Sequence, residues 1–148
     1  MLPTLSSPTK KPYHSLLVGA SMGLMALTFS QTAAAITTKN VTYTVDDKAY
    51  EGYYAKADKP NAPFILLVHD WDGLTDYERK RADMLAAEGY NVLAADMFGQ
   101  GIRPTSIEEN KRLTGELYDD RNKMRRILAG ALTAGQLQGN DVRKGTTM

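Results

Sequence analysis

Apolar and polar positions alternate along residues 41–46 (VTYTVD) and 49–56 (AYEGYYAK), with Asp46, Asp47 and Lys48 around the joint. Period-two alternation rich in Val, Thr and Tyr about a polar turn predicts an antiparallel hairpin. Residues 59–63 (KPNAP) form a loop, because each proline biases its predecessor away from helix. Residues 64–68 (FILLV) are apolar without a break, the pattern of a strand covered on both faces. Thr75-Asp76-Tyr77-Glu78 then has the spacing of a capping box. Ala82, Leu85 and Ala86 give the buried face of the helix it opens, and Gly89 is placed to end it. Residues 90–95 (YNVLAA) predict a second buried strand, running into Asp96-Met97-Phe98-Gly99. Ser106-Ile107-Glu108-Glu109 repeats the capping-box pattern. One long helix is expected behind it, carrying Leu113, Leu117, Met124, Ile127, Leu128, Ala131 and Leu132. Gly115 is a point of interruption, and Gly135 and Gly139 mark the end. Residues 140–144 predict a polar loop and residues 145–148 the start of a strand. The order hairpin, strand, helix, strand, helix predicts an α/β fold, with a mostly parallel sheet and helices on its faces.

The first 35 residues follow a different pattern. They hold no Asp or Glu, Lys10 and Lys11 stand before an apolar run at 15–29, and Ala33-Ala34-Ala35 supplies small residues after it. This is the layout of a signal peptide, so residues 1–35 are expected to be removed and 36–148 to form the exported protein, periplasmic or secreted. The apolar run is short for a membrane span and contains Gly19, Ser21 and Gly23, so no stable membrane association is expected after cleavage. The chain has no cysteine and a formal net charge of +1, so it offers no disulfide framework and no electrostatic footprint for nucleic acid. The basic residues of the long helix, such as Lys111, Arg112 and Arg125, are interleaved with acids and read as a solvated face.

In α/β sheets, chemistry gathers at the carboxyl ends of the strands. The first such end here is His69-Asp70-Trp71-Asp72-Gly73 and the second Asp96-Met97-Phe98-Gly99. Together with the hairpin and the Ala86-Ala87-Glu88-Gly89-Tyr90 helix end, these motifs make residues 41–148 resemble the dienelactone hydrolase family of α/β-hydrolases. The resemblance implies hydrolysis of a small-molecule ester or lactone by a nucleophile–His–Asp triad, with no metal or organic cofactor. It implies a partial α/β-hydrolase fold, a leading antiparallel hairpin and then parallel β-α-β-α, truncated before the nucleophile elbow that the family writes Gly-Xaa-Cys-Xaa-Gly. Residues 36–148 contain no Cys, one His (His69) and one Ser (Ser106, a helix cap), so no triad can be assembled from them. The chain is therefore expected to be catalytically incompetent alone.

The resemblance assigns roles to the residues that are present. The backbone N–H of Trp71 takes the position of an oxyanion-hole donor, and its indole can line an acyl pocket. Asp70 stands where the family carries an acid, usually Glu, that contacts the resting nucleophile. The family binds a substrate carboxylate through an Arg at the position that holds Gln100 here, and Arg103 lies three residues on, so both are candidate substrate-binding residues. His69 is expected to order the loop through backbone hydrogen bonds. Two other readings stand beside this one. Asp70-Trp71-Asp72-Gly73 is similar to the Asp-Xaa-Asp-Gly-Thr signature of haloacid-dehalogenase-type phosphatases, which implies Asp70 as nucleophile, Asp72 as acid/base and Mg²⁺ neutralising phosphate charge, with Asp119-Asp120 as a later acidic pair; Leu74 occupies the Thr position. The missing nucleophile also fits a non-catalytic, hydrolase-like binding module.

Overall fold

The computed structural model describes residues 35–144. The leader expected over residues 1–35 and the strand start expected over 145–148 lie, but for Ala35, outside the described residues. Strands β1 (Thr37–Val45) and β2 (Lys48–Lys56) form the expected hairpin. Asp46 and Asp47 both take positive φ, 49° and 60°, at its two-residue turn. Strand β3 (Phe64–Val68) and strand β4 (Asn91–Ala95) pair in parallel, connected through helix α1 (Asp76–Ala87). The sheet order is β1-β2-β4-β3, with β2 and β4 antiparallel. The sheet is therefore mixed rather than mostly parallel: among the described strands only β3 and β4 run together. The hairpin docks directly on β4 and supplies the two antiparallel pairings.

The two faces carry separate cores. Leu93 and Ala95 of β4 point to one side with Tyr43, Tyr50, Tyr54 and Phe64; Val92 and Ala94 point to the other with Ala55, Leu74, Ala82 and Ala86. Helix α1 covers the second side. Its capping box is complete, with Tyr77 N–H donating to Thr75 and the Glu78 carboxylate accepting from the Thr75 N–H at 2.8 Å. A cap of this kind contributes about 1 kcal/mol. Gly89 follows the C-cap Glu88 with φ +98°, as its position predicted.

Two expectations are corrected here. The strand FILLV is only half-buried, and Val68 is 47% exposed, because β3 lies at an edge of the described sheet with β4 as its partner. The single long helix is two: α2 (Ile107–Asp119) and α3 (Arg121–Leu137). The break falls at Asp120 (φ −115°, ψ 81°), whose carboxylate accepts from the Lys123 N–H at 2.8 Å and caps α3. Asp119 thus ends α2 and Asp120 stands at the junction, so the pair does not lie inside one continuous helix. Gly115 sits within α2 and does not interrupt it, and Gly135 sits within α3 and does not end it. At Gly135 a side chain would stand 2.5 Å from the Phe64 ring, so its bare Cα lets α3 approach the sheet. The second capping box is shifted: Ser106 accepts from the Glu109 N–H, but the Glu109 carboxylate takes the Thr105 N–H instead. Residues 142–144 form a short 3₁₀ turn, and Asn140, expected in a polar loop, is buried against Tyr54 and the Gly135 carbonyl.

Candidate functional site

Because β3 and β4 are parallel neighbours, their carboxyl ends open side by side. His69 joins them. The Met97 N–H donates to His69 Nε2 at 3.1 Å, so Nε2 carries no proton, and Nδ1–H donates to the Asp70 carbonyl at 2.6 Å. The ring is the neutral Nδ1–H tautomer, buried, with Phe98 edge-on at 4.7 Å. Both nitrogens are spent on backbone, as expected of a loop-ordering His69, and the Met97 bond makes it a staple between the two strand ends, which the sequence did not show.

The β4 end is organised by Asp96. This carboxylate is fully buried and accepts from the Phe98 and Gly99 N–H groups, both at 3.0 Å, and from the Glu51 N–H of the hairpin at 3.1 Å. The Tyr43 hydroxyl donates to the Asp96 carbonyl at 2.6 Å. Burial, then the Asp96 charge, raises the Tyr43 phenol well above its usual range. The sequence showed Asp96 only as the start of a loop. Its role had a faint signal, an Asp at the start of a glycine-ended turn, where Asp side chains accept from the backbone N–H two residues on.

The turn after β3 carries the candidate chemistry. Asp70 and Trp71 are exposed, and Gly73 closes the turn at φ +88°, against the Phe98 ring, where an L side chain would be strained. Asp70 and Asp72 share a carboxyl–carboxylate contact. It holds Asp70 below the ordinary aspartate range, helped by the Asp72 and Trp71 N–H groups, and raises Asp72. The Trp71 carbonyl accepts from the Thr114 hydroxyl of α2 at 3.4 Å. Trp71 itself is 44% exposed.

Residues 68–71 and the β4 end form one wall of a cleft of about 420 Å³, and Leu117, Met124 and Leu128 of α2 and α3 form the other. Sequence reasoning had placed the three helix residues in a packed face. The break at Asp120, which re-aims the helix pair, was what it lacked. Asp70 and Trp71 are thus brought together at the cleft. Gln100 and Arg103 are held elsewhere. The Gln100 side chain donates to Glu51 at 3.2 Å; Arg103 donates to its neighbour's carbonyl, Ile102 O, at 2.7 Å and lies 3.9 Å from Asp96. Asp119 and Asp120 do not line the cleft either. Among the described residues no group of three or more His, Cys, Asp or Glu side chains is arranged to hold a metal ion, and no helix is long and apolar enough to cross a membrane.

Comparison with known proteins places this arrangement. A model of the dienelactone hydrolase family matches residues 50–144. The dienelactone hydrolase-like promiscuous phosphotriesterase P91, from metagenomic libraries, has a similar structure at a TM-score of 0.69 and 29% identity, over 75% of this chain and 47% of that one. The solved structure m3DLH gives 0.63 at 27% identity, over 68% and 42%. Epoxide hydrolase A of Mycobacterium tuberculosis (strain ATCC 25618 / H37Rv) is 34% identical over 93 residues, 58% of this chain and 29% of its own length. The chain spans less than half the length of each of these relatives.

Proposed function

The chain belongs to the dienelactone hydrolase family, a family of hydrolases acting on small molecules, and from that premise we propose that it forms the oxyanion and acyl-pocket side of a site that cleaves carboxylic esters or lactones. The observation that carries this reading is the position of the Asp70–Trp71 turn, at the end of β3, beside the end of β4 and over an apolar cleft. In acyl transfer the developing oxyanion needs preorganised N–H donors about 3 Å away. The Trp71 N–H already faces an anion, the Asp70 carboxylate. Turning that carboxylate toward a resting nucleophile leaves the donor for the substrate oxygen. The His69 staple and the Thr114 contact hold the turn while this happens.

Residues 36–148 supply no Cys, and the Ser106 hydroxyl is engaged as the α2 cap. Residues 36–148 therefore do not turn over an ester unaided in this reading, and the nucleophile, its base and the acid come from a segment such as the family's second half. The leader-like pattern of residues 1–35 supports an exported protein. The test is a chimera in which residues 35–144 replace the matching half of P91. Hydrolysis of p-nitrophenyl butyrate is expected, with kcat falling about 10²–10³-fold when Trp71→Pro deletes the donor. An active chimera indifferent to Trp71→Pro would remove Trp71 from the oxyanion hole.

A further inference from the structure

We propose that the cleft selects neutral, apolar esters or lactones and turns away substrates that carry a free carboxylate; this rests on the hydrolase reading of the same cleft. Its walls are mostly apolar, Val68, Met97, Phe98, Leu117, Met124 and Leu128 with Tyr118 and Thr114 beside them, and the one charged side chain that lines it is the Asp70 carboxylate. A carboxylate entering such a space loses its water without gaining a cation, which is strongly unfavourable. The Tyr118 hydroxyl offers one donor at an exposed position, with the Arg121 guanidinium over its ring at 5.1 Å and outside the cleft lining; the other groups that could compensate are engaged. His69 uses Nδ1–H on the Asp70 carbonyl and Nε2 on the Met97 N–H, so it has no proton to offer. Arg103, in the loop after β4, is turned to the Ile102 carbonyl and to buried Asp96, outside the cleft lining. Gln100 is engaged with Glu51 of the hairpin. The Thr114 hydroxyl donates to the Trp71 carbonyl. Asp70 at the rim then repels an anion that approaches.

Trp71 is the only tryptophan in the chain and stands half-exposed at the cleft, so its emission reports occupancy. The full chain is titrated at neutral pH with methyl 4-phenylbutyrate and with 4-phenylbutyrate, which share a skeleton and differ in charge. A saturable blue shift is expected with the ester, and binding of the acid at least about tenfold weaker. Asp70→Asn is expected to narrow that ratio by removing the repulsion. Thr114→Lys, which places an ammonium beside the turn from a half-buried position on α2, is expected to bring the acid level with the ester or ahead of it. Equal or tighter binding of the acid by the unmodified chain overturns the selectivity and leaves the hydrolase reading of the cleft standing. No emission change with either compound overturns both.

Discussion

Asp70 and Asp72 share a carboxyl–carboxylate hydrogen bond across a single turn at the surface of the protein. Asp70 is held below the usual aspartate range, chiefly by its hydrogen bond with the Asp72 carboxyl, and Asp72 is raised, chiefly by that same hydrogen bond and then by burial and the Asp70 charge. The singly protonated pair therefore persists through the ordinary aspartate range. Carboxyl ¹³C shifts followed by NMR should show Asp70 ionising first and Asp72 last. Asp70→Asn should bring the Asp72 midpoint down, because the anion that retains its proton is gone; an Asp72 midpoint that stays raised would break the pairing. These two residues were legible because they sit in one contiguous motif at a strand end. His69 was legible as a loop-orderer but not in its partner: the Met97 N–H lies 28 residues away. Only the parallel pairing of β3 with β4 brings the two within hydrogen-bond range.

Elements were read well where local chemistry decides and less well where packing does. The hairpin, α1 with its cap, and β4 follow from alternation, capping and a buried apolar run, all local signals. The α2–α3 break was hidden. The helical spacing runs through it, and Asp120 breaks the helix by capping the next one. Gly135 was misread for the converse reason: it looks like a helix end but is a point of contact. A methyl group there would stand 2.5 Å from the Phe64 ring in the core. Gly135→Ala is expected to destabilise by about 1–3 kcal/mol through overpacking, despite the better helix propensity of Ala. The denaturant midpoint measures it. Phe64→Leu in the same chain should recover part of the loss, which a double-mutant cycle reads as coupling between the sites. Additive losses would mean that Gly135 matters for its backbone and not for the ring.

Across the whole described unit, the hairpin is fastened to the carboxyl end of β4 through Asp96. Its carboxylate takes the Glu51 N–H of β2 while its carbonyl takes the Tyr43 hydroxyl of β1. This coupling has a pH signature. The Tyr43 phenol is raised in the folded state by burial and by the Asp96 charge, whereas in the unfolded chain it ionises near its ordinary value, about 10. Its contribution is thus fully present below that value and is lost as pH rises above it, since the unfolded state gives up the proton first. Chemical denaturation across the alkaline range should show stability falling from about pH 10 upward. Tyr43→Phe should flatten that slope. Tyr50 and Tyr54, also raised by burial, leave a residual fall. An unchanged slope in Tyr43→Phe would show that the phenol ionises alike in both states.

The sequence by itself determined the class of the fold, the hairpin, the capped α1, the two strand ends and the turn on which Asp70 and Trp71 stand. Those depend on side-chain period, capping and turn chemistry within a few residues of each other. The tertiary structure alone decided the sheet order, the split of the last helix pair and the composition of the cleft. It turned Gln100 and Arg103 away from the Trp71 turn and toward Glu51 and Asp96. It also set Leu117, Met124 and Leu128 opposite that turn. The physical reason is reach. A cap or a hairpin turn is settled by neighbours along the chain, whereas which side chain faces a cleft depends on contacts between segments tens of residues apart, and their partners exist only once the sheet has formed.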